Sequence, residues 1–204
     1  MKDQTKNGLA GLRIGVLALQ GDVGEHLAML ERIGVQGVRV RKPQELAEVD
    51  GLIIPGGEST TVGKLMERFG LDVAIRDAAG HGLPVYGTCT GMIVLSTEIV
   101  GSQQPRLGLI DLRVLRNSFG RQVDSFEMDM EIPGIEGGPV RGVFIRSPWI
   151  EEAGPGVDVM ARVNGKGVMA RQRNILVSAF HPELTGDERV HRYFVEMVRQ
   201  ANRR

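Results

Sequence analysis

The stretch PVYGTCTGMIVLS, residues 84–96, marks the point where an apolar, strand-like run ends in a turn and a helix-like run begins. It contains Cys89, the only cysteine of the chain, set among threonines and glycines. Small neighbours let the backbone of such a turn bend sharply and present a side chain above the carboxyl edge of a sheet. The pattern is that of a nucleophile elbow, and a thiol at a helix N-terminus lies where the dipole stabilises a thiolate. From the Gly-x-Cys-x-Gly pattern alone, a buried and inert cysteine remains the alternative.

The segments before the elbow alternate between strand-like and helix-like patterns. Residues 12–19 are apolar nearly throughout, as expected of a strand covered on both faces, and residues 24–34 follow with helical spacing of apolar side chains. The alternation continues through residues 35–40, 51–57, 61–70 and 84–89. This order predicts a mainly parallel sheet with helices wrapped around it.

From residue 107 the pattern changes to short strand-like pieces, most of them separated by turns that contain glycine or proline. We expect these pieces, which include SFEMDMEI (125–132) and PVRGVFI (139–145), to be largely antiparallel strands that extend the same sheet. Residues 187–203 close the chain as an amphipathic helix, with acidic residues first and basic residues last, as the helix dipole favours.

Length and composition restrict the class of protein. With 204 residues, 42% of them hydrophobic, the chain is expected to form a single domain. Its 25 basic and 25 acidic side chains leave no net charge to attract nucleic acid or an anionic membrane, so we expect neither as a main partner. Residues 1–13 lack the apolar core of a signal peptide, and no stretch is long enough to cross a bilayer, which predicts a cytoplasmic protein.

A cysteine nucleophile needs a base, and the chain contains four histidines. His26 and His191 fall within helical patterns, where a solvated histidine is expected, and His81 lies in a loop. His181 directly follows the apolar run NILVSAF, so it belongs at the edge of the sheet where ligands bind in open α/β folds. His181 is therefore the candidate base.

The candidate base has a carboxylate two residues further on, Glu183. In an extended HPE segment, residues two apart face the same way, so Glu183 can reach the imidazole of His181 while Pro182 stiffens the link. A Cys-His-Glu triad results. Seen by itself, HPE could equally be an ordinary strand-to-helix loop.

Three motifs, GTCTGM around Cys89, FHPEL around His181 and IIPGGEST at residues 53–60, resemble those of the class I, or triad, glutamine amidotransferases, which hydrolyse glutamine to glutamate and ammonia. Within that family, LALQGD (17–22), RNSFGRQ (116–122) and FIRSP (144–148) are similar to the glutaminase subunits of pyridoxal 5′-phosphate synthases. The resemblance covers about residues 12–200. It implies a three-layer, flavodoxin-like α/β fold with a mixed, mainly parallel sheet, a single glutaminase domain at residues 12–204, and an N-terminal extension at residues 1–11.

The resemblance implies a role for each triad residue. Cys89 would attack the side-chain amide of glutamine, His181 would take the thiol proton and deliver it to the leaving ammonia, and Glu183 would orient the imidazole. Gly57 and the backbone N–H of Thr90 would form the oxyanion hole. In most members of the family the residue after the nucleophile is alanine, so Thr90 is a departure. Because its N–H is retained, we expect activity to persist in a more crowded elbow.

Substrate and partner contacts are implied in the same way. The positions expected to contact glutamine are Gly57, Glu58, Ser59, Arg116, Ile145 and Arg146, and an arginine suits the α-carboxylate of that substrate. Gln20, in the LQG motif, is expected near the oxyanion loop and the partner-facing surface, where it would help to switch the hole on when the partner docks.

The resemblance also implies the partner and the requirements of the reaction. The partner would be a ring-forming synthase subunit that builds pyridoxal 5′-phosphate and receives the ammonia, and we expect little activity without it. We expect no metal, since no cluster of His, Cys, Asp and Glu has ligand spacing along the chain, and no cofactor, since GxGxxG and P-loop motifs are both missing.

Two alternatives remain open at this point. Another amidotransferase subunit, serving imidazole-glycerol phosphate or anthranilate synthesis, would share the triad, and only LQGD, GGEST and RNSFGRQ argue against it. A DJ-1-like protein would instead use an elbow cysteine as an oxidation sensor or binding site, but it would leave FHPE without a role.

Overall fold

The computed structural model describes residues 11–116 and 125–203. In chain order, these residues form β1 (Arg13–Leu17), α1 (Val23–Ile33), β2 (Gln36–Val40), β3 (Gly51–Ile54), α2 (Ser59–Phe69), α3 (Leu71–Gly80), β4 (Val85–Thr88), α4 (Thr90–Leu95), β5 (Ser96–Ile99), β6 (Ile110–Leu115), β7 (Ser125–Met130), β8 (Val140–Ile145), β9 (Trp149–Ala153), β10 (Asp158–Val163), β11 (Lys166–Gln172), β12 (Ile175–Ser178) and α5 (Arg189–Ala201). Short 3₁₀ helices lie at Pro43–Glu48 and Pro182–Leu184.

One half of the main sheet is parallel, as the alternating pattern predicts. The described residues form a ten-stranded sheet in the order β2-β1-β3-β4-β12-β11-β9-β6-β5, with β10 paired to β11. The strands from β2 to β12 are joined in parallel, and all four residues of β3, of β4 and of β12 are buried. Such strands, covered on both faces, place their carboxyl ends together at one edge of the sheet.

Helices cover both faces of this parallel half, which confirms the layered arrangement. A side chain at Gly51 would touch Val198 and Phe194 of α5, whereas Ile54 lies against Gly91 of α4. Positions 51 and 54 of β3 are an odd number of residues apart, so they point to opposite faces. The helices α4 and α5 therefore lie on opposite sides of the sheet.

The second half of the sheet confirms one prediction and corrects another. The pairs β12-β11, β11-β9, β9-β6 and β10-β11 are antiparallel, as expected, although β5 and β6 pair in parallel. The segments predicted to continue this sheet at residues 125–132 and 139–145 do not join it. They form β7 and β8, a separate antiparallel ribbon.

The two faces of the ribbon differ, one being apolar and the other charged. Phe144 is buried and its ring lies 5.6 Å from that of Phe180, just beyond β12, while Arg141 forms ion pairs with Glu127 and Asp129 on the exposed face. The backbone N–H of His181 donates to the carbonyl of Val143 at 2.8 Å. The ribbon is thereby fixed beside the carboxyl edge of the main sheet.

The terminal helix α5 and the helix α1 agree with the sequence patterns, and α3 was not predicted. Gly70 adopts a left-handed conformation (φ 69°) that ends α2, and α3 begins at the next residue. In residues 11–116 and 125–203, no helix is both long and apolar enough to span a membrane.

Candidate active site

Cys89 lies in a strained turn between β4 and α4. Its backbone has φ 47° and ψ −98°, in a region that a residue with a side chain rarely occupies, and its N–H donates to the carbonyl of Ser178 at 2.8 Å. A Cβ at Gly91 would lie 2.2 Å from the carbonyl oxygen of Ile54. The small residue after the turn is therefore required for α4 to approach β3, and the predicted elbow is present.

His181 follows β12 and is held by two carboxylates. Its Nδ1 lies 2.8 Å from Glu183 Oε1 and 3.3 Å from Asp22 Oδ2. The sequence argument assumed that the segment after His181 is extended. It is not, because Pro182 begins a 3₁₀ turn. The contact between His181 and Glu183 forms nonetheless, through the turn rather than through an alternating strand.

The charges of the site stabilise a protonated imidazole. Burial lowers the pKa of His181, but hydrogen bonds with Asp22, Cys89 and Glu183 outweigh this effect and raise it to about 12. Burial likewise raises the pKa of Glu183, while His26 and His181 reverse that effect and hold it well below its ordinary value. The two carboxylates therefore hold a cationic imidazole beside Cys89, the nucleophile predicted from the sequence.

The structure brings nearly all of the sequence-predicted residues to one cavity of about 380 Å³, a volume in the range of small-molecule sites. Its lining contains ten of them: Gln20, Gly57, Glu58, Ser59, Cys89, Thr90, Arg116, Ile145, Arg146 and His181. Asp22, Ile93 and Leu184 complete the lining. Glu183 is buried behind His181. The segment 117–122 of the RNSFGRQ motif lies outside the described residues.

The peptide that joins Gly57 to Glu58 is held at both of its ends. The Thr90 hydroxyl donates to the carbonyl of Gly57 at 2.6 Å, and the backbone N–H of Glu58 donates to Gln20 Oε1 at 2.7 Å. In this arrangement the peptide presents its oxygen, rather than its N–H, to Thr90 beside the nucleophile.

The side chain of Glu58, in the loop predicted to form the oxyanion hole, is used within the protein. The carboxylate of Glu58 accepts hydrogen bonds from the backbone of Thr60 and Thr61 at the start of α2, and a bond from the Thr61 hydroxyl above all lowers its pKa to about 2. Glu58 therefore caps α2, and its carboxylate is an ionised group at the cavity wall.

Gln104, which the sequence analysis missed, connects two of the predicted substrate contacts. Its Oε1 accepts hydrogen bonds from the Ser59 hydroxyl at 3.4 Å and from Arg116 Nη1. Gln104 is buried and lies in the irregular segment between β5 and β6, where no sequence pattern marks it. It fixes the guanidinium of Arg116 at the cavity.

Ile145 and Arg146 lie at the end of β8, where the ribbon reaches the nucleophile. The carbonyl oxygen of Ile145 lies 3.9 Å from Cys89 Sγ, and Arg146 has a left-handed backbone (φ 45°). The Ser147 hydroxyl accepts a hydrogen bond from the N–H of Ile145 at 3.1 Å. The separate ribbon is thus what places these two residues at the cavity.

The sequence analysis also missed Asp22, which joins His181 and Glu183 in a cluster that the spacing of residues along the chain does not reveal. Ligand atoms of Asp22, His181 and Glu183 lie within 4.8 Å of one another, a separation that could suit a metal ion. Residues 22 and 181 are brought together only by the fold, so linear spacing could not find the cluster. Both carboxylates lie within reach of the Nδ1–H of His181, which accounts for their proximity.

The prediction that His26 and His191 are solvated is wrong. Both are fully buried, and His26 Nδ1 lies 2.9 Å from His191 Nε2. Helical periodicity places these residues on helices but does not show which face each helix turns to the sheet.

Residues 16–200 match the SNO glutamine amidotransferase family. The chain belongs to that family. The chain is 58% identical to the pyridoxal 5′-phosphate synthase subunit PdxT of Carboxydothermus hydrogenoformans, over 92% of this chain and 98% of that protein. It is 53% identical to the subunit of the same name from Niallia circulans, over 93% and 100% of the two chains.

Solved structures confirm the fold. A crystal structure described as a glutamine amidotransferase superposes with a TM-score of 0.87 at 50% identity and covers 91% of this chain and 98% of its own. The PurLQS structure from Thermotoga maritima reaches a TM-score of 0.68 at 20% identity, with 93% and 96% covered, and shows shared architecture alone. The class I amidotransferase fold, mixed and mainly parallel, is therefore the fold of this chain.

Proposed function

We propose that this chain hydrolyses L-glutamine to L-glutamate and ammonia as the glutaminase subunit of a pyridoxal 5′-phosphate synthase. The observation that carries the proposal is the meeting of Cys89 with His181, itself bound to Glu183, at a cavity lined by the predicted glutamine contacts. Family membership and the names of relatives more than 50% identical support the choice of pathway over imidazole-glycerol phosphate or anthranilate synthesis.

The reaction follows from the residues in the cavity. Cys89 Sγ, as a thiolate, attacks the side-chain carbonyl carbon of glutamine, and the resulting tetrahedral intermediate collapses as His181 gives a proton to the departing ammonia. Water then attacks the thioester, His181 takes a proton from that water, and glutamate leaves as the proton returns to the thiolate of Cys89. Glu183 keeps the imidazole oriented through both steps.

The remaining lining of the cavity holds the substrate. Arg116, fixed by Gln104, binds the α-carboxylate of glutamine. The backbone around Gly57 to Ser59 and the residues Ile145 and Arg146 surround the rest of the substrate.

The oxyanion hole requires N–H donors at the position of the developing negative charge. Gly57 and Thr90 are the proposed sources, but the carbonyl of Gly57 is now bound by the Thr90 hydroxyl. Because Gln20 holds the adjacent N–H, the orientation of the loop depends on the position of Gln20. Docking of the synthase subunit near Gln20 would change that orientation and switch the hole on.

Dependence on a partner suits the product. Free ammonia is largely protonated at neutral pH and diffuses away, so a glutaminase that supplies a synthesis gains by working only when docked to its acceptor. The synthase subunit of pyridoxal 5′-phosphate synthase, a ring-forming hetero-oligomer, is the proposed partner, and the cytoplasm the proposed location.

The test is ammonia release from glutamine by the wild type, Cys89→Ala and His181→Gln, each with and without the synthase subunit. His81→Gln is the matched control, because His81 is exposed and lies outside the cavity lining. We expect release chiefly with the partner, its loss in the first two variants, and normal release in the control. Release that persists in Cys89→Ala would refute the triad, and release without partner dependence would reopen the choice of pathway.

A further inference from the structure

Two buried histidines lie behind Glu183 and take no part in the proposed reaction. His26, from α1, and His191, from α5, have no exposed surface, and the described lining of the cavity includes neither. His26 Nε2 lies 3.4 Å from Glu183 Oε1 and 3.2 Å from the hydroxyl of Thr88, the residue before Cys89. The contacts therefore run from His191 through His26 to Glu183 and on to His181.

The proton positions of the pair follow from its neighbours. Burial, reinforced by the nearby His26, lowers the pKa of His191 to about 3, so His191 is neutral. Its Nδ1 is buried and has no hydrogen-bond partner among the described residues. A proton on that atom would be an unpaired buried donor, which is costly. The proton of His191 therefore lies on Nε2 and is donated to Nδ1 of His26.

This arrangement fixes the proton of His26. With Nδ1 acting as an acceptor, a neutral His26 carries its proton on Nε2, which faces Glu183 Oε1 and the Thr88 hydroxyl. A charged His26 would also carry a proton on Nε2. Only the opposite tautomer would lack it, and that tautomer would direct a lone pair at a carboxylate oxygen and leave the buried N–H on His191 unpaired.

The carboxylate of Glu183 needs this contact to stay in place. Its Oε2 is buried without a hydrogen-bond partner among the described residues, so its orientation depends on the contacts of Oε1. His181 Nδ1 lies 2.8 Å from Oε1 on one side, and His26 Nε2 lies on the other. Two donors at one oxygen oppose rotation of the carboxylate, whereas one donor would leave it free to turn about that bond.

We propose that His26 is a positioning residue, whose Nε2–H binds Glu183 Oε1 and holds this carboxylate on His181, while His191 fixes the ring of His26. The proposal rests on the proposed triad and deepens it. It predicts that His26 affects the chemical step and not the binding of glutamine, since it touches neither the substrate nor the cavity.

The test uses two variants of similar size that separate the two nitrogens of His26. In His26→Gln the amide nitrogen lies at the distance of Nε2 and can still donate to Glu183. In His26→Asn it lies at the distance of Nδ1 and can reach only His191. With the synthase subunit present, we expect His26→Asn to lower kcat for ammonia release by about tenfold to hundredfold, the range known for hydrogen-bond partners that orient metal-binding side chains. We expect His26→Gln to keep most of the activity and KM to stay unchanged in both.

Equal kcat in the Gln and Asn variants, whether high or low, would overturn the proposal, because only Gln places an amide nitrogen where it can donate to Glu183. His81→Asn, on the surface, is the control for the substitution itself. His191→Phe gives a second test if His26→Asn does not fold: a lower kcat at unchanged KM supports the role of the pair, and an unchanged kcat refutes it. Cys89→Ala, measured alongside, separates a failure of this proposal from a failure of the triad.

Discussion

Replacing Thr90 by valine should raise the glutaminase activity of the chain without its partner. Valine has the shape and β-branching of threonine, so the crowding of the elbow is preserved, but it lacks the hydroxyl that donates to the carbonyl of Gly57 at 2.6 Å. That bond holds the Gly57–Glu58 peptide with its oxygen, an acceptor, towards Thr90. An oxyanion needs donors, and an acceptor oxygen held at this position opposes them, so the bond must break before the loop can turn that oxygen away.

The size of the effect follows from the energy of one hydrogen bond. A neutral intramolecular bond contributes about 0.5–1.5 kcal/mol net, and each 1.36 kcal/mol changes a rate about tenfold, so release without the partner should rise by about twofold to tenfold. Thr90→Ser, which keeps a hydroxyl, should behave as the wild type. The assay is ammonia release with and without the synthase subunit, and the ratio of the two should fall in the valine variant. Equal activity of the valine and serine variants without the partner would refute the reasoning.

Three further predictions concern other contacts of the site. Gln20→Ala, which releases the N–H of Glu58, should bring the ratio of ammonia release with the partner to release without it close to one. If the partner stimulated this variant as strongly as the wild type, Gln20 would not transmit docking. Gln104→Leu should raise KM for glutamine about fivefold to tenfold with little change in kcat, because Arg116 loses its hydrogen-bond acceptor. The control is Gln103→Leu, at an exposed position, which should have the kcat and KM of the wild type. The pKa of His181 is raised from 6.5 to about 12, so the stability it contributes is complete below about pH 6.5 and is lost as the pH rises towards 12. The melting temperature of the wild type should therefore fall more steeply than that of His181→Gln between these limits, and parallel curves would contradict the raised pKa.

The parts of the fold that the sequence predicts are those with strong local signals. The buried strands β1, β3 and β4 contain near-continuous apolar runs, and α1 and α5 have clear helical spacing, so their order alone indicates a parallel sheet. The elbow was predictable because small residues around Cys89 are a steric requirement, as the 2.2 Å approach at Gly91 shows. The carboxyl edge of a parallel sheet then brings the end of β4 and the end of β12 together, and with them Cys89 and His181.

The parts that the sequence does not predict depend on which elements pack together. The pieces that form β7 and β8 have the same strand-like pattern as their neighbours, and contacts with distant residues, such as that of Phe144 with Phe180, fix their place outside the main sheet. The burial of His26 and His191 depends on how α1 and α5 are rotated about their axes. A histidine among apolar residues does not show whether it faces the sheet or the solvent. Gln104 and Asp22 gain their roles from partners far away in the chain, so their local sequence carries no sign of them.

The segment from Gln20 to His26 connects the separate parts of the site. Gln20 holds the N–H of Glu58 in the loop proposed to form the oxyanion hole. Asp22 lies 3.3 Å from the imidazole of His181, and His26, one turn into α1, lies 3.4 Å from Glu183. Asp22 also donates its backbone N–H to the carbonyl of Gly56, so the segment and the loop are joined through both backbone and side chains. A displacement of this one segment by a docked partner would therefore alter the donors of the oxyanion hole, the charge around the base and the position of the orienting carboxylate together. Such a change acts on the chemical step as a whole, and this is how a glutaminase that is slow alone could become fast when its acceptor is in place.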